Sequence, residues 1–346
     1  FRRVLFRSRF FTILIFFNSL SFGESDFDKV GTTAAQFLKM GVGARAIGMG
    51  GSFVALADDG SAMYWNPAGM VSQKGFNTSF MHNDWALDIS HDFIGISLPT
   101  GKSGMLGFSL TTLSMDEKEV TTVENPDGNG LTYSVLDMAF GISYAHQLSD
   151  RMSFGQTVKL IRLSAFNEIA STAAIDIGML LKTDYHGLII GMCLSNFGGE
   201  LQYKGRDLIG KSDIDSELNG NYLTDVNLNT ESWPLPLLIR IGLSVDLIGN
   251  DEAFIQNSDN RVTLTLDAEH PNDSREHLNI GTEYSFHDKF FLRGGYRINY
   301  DEENFTFGAG LKVDMGLFGQ TYINYGMKPF GPFGITSQLS IDFLIK

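Results

Sequence analysis

At 346 residues the chain has room for two ordinary domains or one large all-β unit, and 38 glycines and 28 phenylalanines against only 8 prolines favour strands and turns. A formal net charge of −14 excludes a nucleic-acid binder, which needs a clustered basic surface. Past the N-terminal segment no run of 18 apolar residues occurs, which excludes a helical membrane protein. A membrane barrel stays open, because alternation dilutes its apolar face with lumen residues. The single cysteine, Cys193, rules out an internal disulfide and any paired-thiol metal site.

Residues 1–23 read as a secretory signal peptide. Arg2, Arg3, Arg7 and Arg9 precede an apolar stretch from Phe10 to Phe17, and Ser21-Phe22-Gly23 offers a small-residue cleavage site before acidic Glu24-Ser25-Asp26. Residues 24–75 form a separate N-terminal segment, glycine-rich between Gly41 and Gly69 and without any ten-residue alternation. Within it Asn66 is suited to closing a turn through its carboxamide, and Pro67 fixes φ while giving up a donor that no strand ladder would use.

From Gly75 onward, segments of about ten residues alternate apolar and polar, the length a tilted strand needs to cross the outer membrane. Fourteen are predicted, at 76–82, 92–99, 103–113, 135–147, 151–163, 172–183, 187–196, 235–248, 260–270, 276–287, 290–299, 304–313, 318–326 and 334–345. Period two puts Val262, Leu264, Leu266 and Ala268 on the lipid face and Arg261, Thr263, Thr265, Asp267 and Glu269 in the lumen. An even strand count with short turns on one end and long loops at 114–134 and 197–234 on the other is the pattern of a bacterial barrel. Only 249–259 is long on the short-turn side. Tyr133, Tyr144, Tyr203, Trp233, Tyr300, Tyr322, Tyr325 and Phe343 are expected as interfacial girdles. The fold class expected is therefore all-β: a transmembrane antiparallel β-barrel of about 14 strands over 76–346.

Arg240, Asp246, Arg261, Asp267, Glu269, Glu283, Arg293, Arg297, Lys312 and Asp342 all fall on lumen positions. They are expected to form one mutually paired polar network, since charges inside a barrel must be paired or wet. Three other signals carry little. Gly41-Val42-Gly43 with Gly48-Met49-Gly50 has the wrong spacing for a dinucleotide loop, and Thr100-Gly101-Lys102-Ser103 reads as a hairpin turn. His270, Glu276 and His277 lack further ligands at metal-binding spacing. No nucleophile and base stand together in a hydrolase pattern, so neither an enzyme nor a cofactor or metal is expected.

The run from Ala34 to Met70 resembles the N-terminal signature of the PorV/PorQ family, a branch of the FadL-like barrels. The matching stretches are Phe37 to Ala46 (FLKMGVGARA), Gly48-Met49-Gly50-Gly51, Ala57-Asp58-Asp59 and Trp65-Asn66-Pro67-Ala68-Gly69. A second match lies at His270 to Asp273 with Glu276-His277 and Gly281 to Tyr284, and a third at Phe291 to Arg297. The resemblance implies that 24–75 is a hatch inside the barrel, with Phe37, Arg45, Asp58, Asp59, Trp65, Asn66, Pro67 and Gly69 as candidate ligand or hatch residues. It also implies a non-enzymatic outer-membrane scaffold of type IX secretion, with a large translocon subunit and exported cargo proteins as partners. The wider FadL-like group implies the alternative, an uptake channel for hydrophobic small molecules such as long-chain fatty acids, with a hydrophobic molecule or lipid in the lumen and outer-membrane lipid around it.

Overall fold

The computed structural model describes residues 29–73, 75–101, 103–212, 224–316 and 319–345; the expected signal peptide lies outside the described residues. Fourteen long strands form the wall. They are β1 (Phe76–Asp84), β2 (Ile89–Thr100), β3 (Gly104–Met115), β4 (Val135–Ser149), β5 (Met152–Ala165), β6 (Glu168–Lys182) and β7 (Ile189–Gly198) in the first half. The second half contributes β8 (Leu238–Gly249), β9 (Asn260–Pro271), β10 (His277–Phe286), β11 (Phe290–Ile298), β12 (Phe305–Asp314), β13 (Gln320–Pro329) and β14 (Ile335–Ile345). Each strand pairs antiparallel with its neighbours in sequence, and β1 pairs with β14 from Phe76↔Ile345 to Asp84↔Ser337. That last ladder closes the sheet into a barrel and leaves no edge.

Alternation explains which way each strand faces. In β9, Thr263, Thr265, Asp267 and Glu269 are buried, whereas Leu264 and Ala268 are exposed. The same inversion holds in β12, where Thr306 is buried between exposed Phe305 and Phe307. Exposed apolar side chains recur on every side of the wall, among them Phe80, Ile142, Leu160, Ile177, Ile241, Leu292, Ile323 and Leu339. A polar interior inside an apolar exterior is the arrangement lipid demands.

Calling the end where β1 begins the lower one, its turns are short apart from 250–259, and 116–134 and the described residues 199–212 and 224–237 lie at the upper end. The ladder is offset between β6 and β7, where Ser195 and Asn196 stand opposite Asp176. Asn196 takes the left-handed conformation there (φ 63°), its N–H donates to Asp176 at 2.7 Å, and Lys159 pairs with Asp176 at 2.8 Å. This is a bulge whose extra residue is held by side chains.

The segment before β1 runs through the lumen. It contains α1 (Ala44–Gly48) and α2 (Ala62–Trp65) with 3₁₀ turns at Gln36–Lys39 and Pro67–Ser72. Helix α1 packs on β11 to β14, while the Pro67–Ser72 turn packs on β3 to β6. The segment thus touches opposite walls and lies across the bore.

Candidate functional site

The plug's turns bond many of its backbone groups to one another, and the N–H and C=O groups left over need partners on the wall. The lumen side chains supply them. Asp267 accepts from the N–H groups of Phe53 and Val54 at 2.7 and 2.9 Å, and Thr265 donates to Ser52 C=O at 3.0 Å. Thr306 donates to Gly48 C=O, Ser153 to Ala68 C=O and Gln338 to Gly41 C=O, at 3.2, 3.1 and 3.2 Å. Within the plug, Asn66 accepts from Ala68 N–H at 3.1 Å and donates to the carbonyls of Val54 (2.9 Å) and Met179 (3.2 Å). The Asn-Pro turn is therefore tied both to itself and to β6.

Close approach is made possible by inward-facing glycines. A Cβ on Gly295 would lie 2.1 Å from the Gly50 nitrogen, and one on Gly155 would lie 2.3 Å from the Pro67 carbonyl carbon. These are backbone clashes that no rotamer relieves. Gly69 plays the same part within the plug, where a Cβ would meet the Ala57 carbonyl oxygen.

The polar residues form separate clusters where one network was expected. Glu283, 1% exposed, accepts bidentately from Arg45 at 2.8 and 3.0 Å and from Arg293 at 2.7 Å, with Arg261 3.6 Å away. Arg45 also reaches Asp58 at 2.5 Å, and Asp59 at 3.6 Å. Arg293 continues to Asn324 and through it to Asp342. Arg240 pairs with Glu269 at 3.1 Å and lies over the rings of Tyr64 and Trp65. Arg297 and Lys328 share Glu303. Asp267 departs from the expected network, because its carboxylate is taken by plug backbone rather than by a cation.

Trp65 is buried against Phe53 and Tyr64, and its indole N–H donates to Val42 C=O at 2.8 Å. Phe37 is placed elsewhere, in an apolar recess near the upper end. There Ala35, Phe37 and Leu38 pack against Leu113, Ala139, Ile161, Leu163, Ala170 and Ala174 of β3 to β6, under Leu201 and Leu235. These wall residues occupy lumen parity, where polar groups are the rule. The segment is fastened beside the recess by Asp273, which accepts from Thr33 (2.5 Å), Gln36 (2.8 Å) and Lys39 (2.8 Å). Burial opposes charge on Asp273, but the hydrogen bonds from Gln36 and Lys39 outweigh it and hold the carboxyl below its ordinary range.

The plug divides the lumen. Above it lies a cavity of about 230 Å³ bounded by Met40, Trp65, Trp85, Asn279, Arg297 and Tyr300. Below it lies one of about 320 Å³ between Arg45, Asp58, Gln73, Arg261, Arg293 and Asp342. Two expected girdle residues belong to the interior: Tyr300 stacks under Arg297 at 3.6 Å, and Tyr203 packs against the apolar recess. Both follow strand ends, where sequence position does not tell an interfacial ring from one folded into the mouth. The recess, the Asp273 clamp and the seating glycines went unread as a site. Their signal was faint: Ile161 and Leu163 continue the lumen parity of Ser153, Gly155 and Thr157.

The fold is a closed antiparallel barrel of fourteen strands with a plug across its lumen. A model of the uncharacterised protein family UPF0164 matches residues 19–168. No curated protein matches the chain in sequence. Among solved structures, the toluene transporter TodX of Pseudomonas putida is similar at 13% identity and TM-score 0.54, with 87% of this chain and 96% of that one covered. The toluene transporter TbuX of Ralstonia pickettii is similar at 13% identity and TM-score 0.54, over 88% and 99%. A Pseudomonas aeruginosa FadL homologue is similar at 11% and 0.51, over 88% and 98%. At such identities the likeness is one of fold.

Proposed function

We propose that this protein is a non-enzymatic channel of the outer membrane of a Gram-negative bacterium that admits hydrophobic small molecules from the outside. The observation that carries the reading is the apolar recess. Buried Ile161 and Leu163 with half-buried Leu113 on the lumen side give the wall an apolar surface there, useful to a molecule that leaves water for it. The transporter descriptions of the similar barrels point the same way. In this reading the ligand enters between the upper loops, meets the recess and the upper cavity, and passes only when the plug shifts.

Uptake of radiolabelled toluene by a Gram-negative host that lacks its own hydrophobic-compound channels and expresses the barrel tests this. Uptake above the empty-vector rate, lost on Ile161→Asp with barrel folding intact, is the expected result. Equal rates with and without the barrel would overturn it. The secretion-scaffold reading rests on the PorV/PorQ-like signature alone; it requires that affinity purification through the 116–134 and 199–237 loops recover a large translocon subunit.

A further inference from the structure

The apolar recess is roofed on its loop side. Leu201 and Leu235 cover it, Tyr203 packs against it, and Pro234 C=O accepts from Ala34 N–H at 3.0 Å. Met40 packs against the recess and also lines the upper cavity, so the two adjoin there. From that cavity three aromatic rings lead to the surface. Trp85, in the β1–β2 turn, lines the cavity, and its ring centre lies 5.1 Å from that of Phe330 in the β13–β14 turn. Phe330 lies 5.5 Å from Phe333, which is 58% exposed, whereas Phe330 and Trp85 are half-buried. Leu87, two residues beyond Trp85, is 74% exposed and takes the left-handed conformation (φ 62°), an outlier for a bulky side chain. A strained turn that holds an apolar side chain out in water is not called for by folding alone and points to function.

We propose that a small uncharged aromatic molecule enters the barrel between the β1–β2 and β13–β14 turns, captured at Phe333 and handed over Phe330 to Trp85 and the upper cavity. The long loops 116–134 and 199–237 are then not the entrance. The inference rests on the uptake reading and fixes where its ligand comes in. Ring centres about 4.5–7 Å apart are within the range over which aromatic side chains attract one another, so a ligand ring leaving one side chain is already in reach of the next. None of the three rings brings a charge, so an uncharged ligand crosses them without losing an ionic partner. The path also ends where the apolar surface continues, since the cavity meets the recess at Met40.

The test is the concentration dependence of toluene uptake in the same host, with the full chain and two pairs of variants. Phe333→Ser and Trp85→Ser remove rings from the path, while Val123→Ser and Leu228→Ser remove exposed apolar side chains from the two long loops. Each path variant is expected to raise the toluene concentration for half-maximal uptake about two- to tenfold and to leave the maximal rate unchanged, because capture is weakened and passage is not. Phe333→Trp, which keeps a ring, should retain the natural value, and both loop variants should match the natural protein. An unchanged half-maximal concentration in the path variants, or an equal rise in the loop variants, overturns the entrance and leaves Phe333 as a contact for outer-membrane lipid, with the uptake reading standing. A fall in maximal rate alone also overturns it, since that marks damage to the barrel rather than to capture. No uptake by the natural protein removes the uptake reading and the entrance with it.

Discussion

Two carboxylates decide how firmly the plug is seated. Glu283 neutralises Arg45 from the plug and Arg293 from the wall at once. Removing one partner of a buried charge cluster leaves the others uncompensated, which typically costs about 3–5 kcal/mol. Because Arg45 keeps Asp58, Glu283→Ala is expected near the lower end of that range, read as a fall in the urea midpoint of the liposome-inserted barrel. Glu283→Gln, which retains an acceptor, should cost clearly less. Asp273 makes a pH-dependent case. Its folded value lies below that of a free carboxyl, so its contribution is complete above about pH 4 and is lost as pH falls through the folded value. Cleavage of the chain near Lys39 by an acid-stable protease should therefore rise steeply below about pH 4. Asp273→Asn should raise cleavage at neutral pH and flatten the profile; an unchanged profile would remove Asp273 as the clamp.

Strands and plug were unequally legible in the sequence. All fourteen strands overlap their predicted ranges, because a period of two is imposed residue by residue by lipid on one side and lumen on the other. The bulge opposite Asp176 was invisible, since one extra residue in β7 does not disturb the average alternation. The plug's course follows from long-range contacts that carry no period, and its local chemistry was readable only at the Asn66-Pro67 turn. Lumen glycines such as Gly295 and Gly155 look like weak strand residues until the backbone they admit is seen. A substitution there separates the two parts: Gly295→Val should leave the barrel folded, since its neighbours on β10 and β12 are intact, but force α1 off the wall. Planar-bilayer recordings should then find a steady conductance absent from the natural protein. A silent, folded variant would mean that the plug yields without opening a path.

For the molecule as a whole, the recess and the plug are parts of one equilibrium. Phe37 and Leu38 already fill the apolar surface that the uptake reading assigns to the ligand, so a hydrocarbon entering the recess must displace them. Displacement frees the end of the plug that Asp273 clamps. Ligand binding and plug release are then linked, and linkage is reciprocal: whatever weakens the seat tightens the ligand by the same factor. Truncating Phe37, 2% exposed, removes the larger part of the competing occupant. Burial of such a side chain is worth about 1.5–3 kcal/mol, so Phe37→Ala is expected to tighten toluene binding by about tenfold or more while making the segment near Lys39 more susceptible to protease. Both changes have to occur together. Weaker toluene binding would mean that Phe37 is part of the ligand's surroundings rather than its rival, and that the plug moves aside without being displaced from the recess.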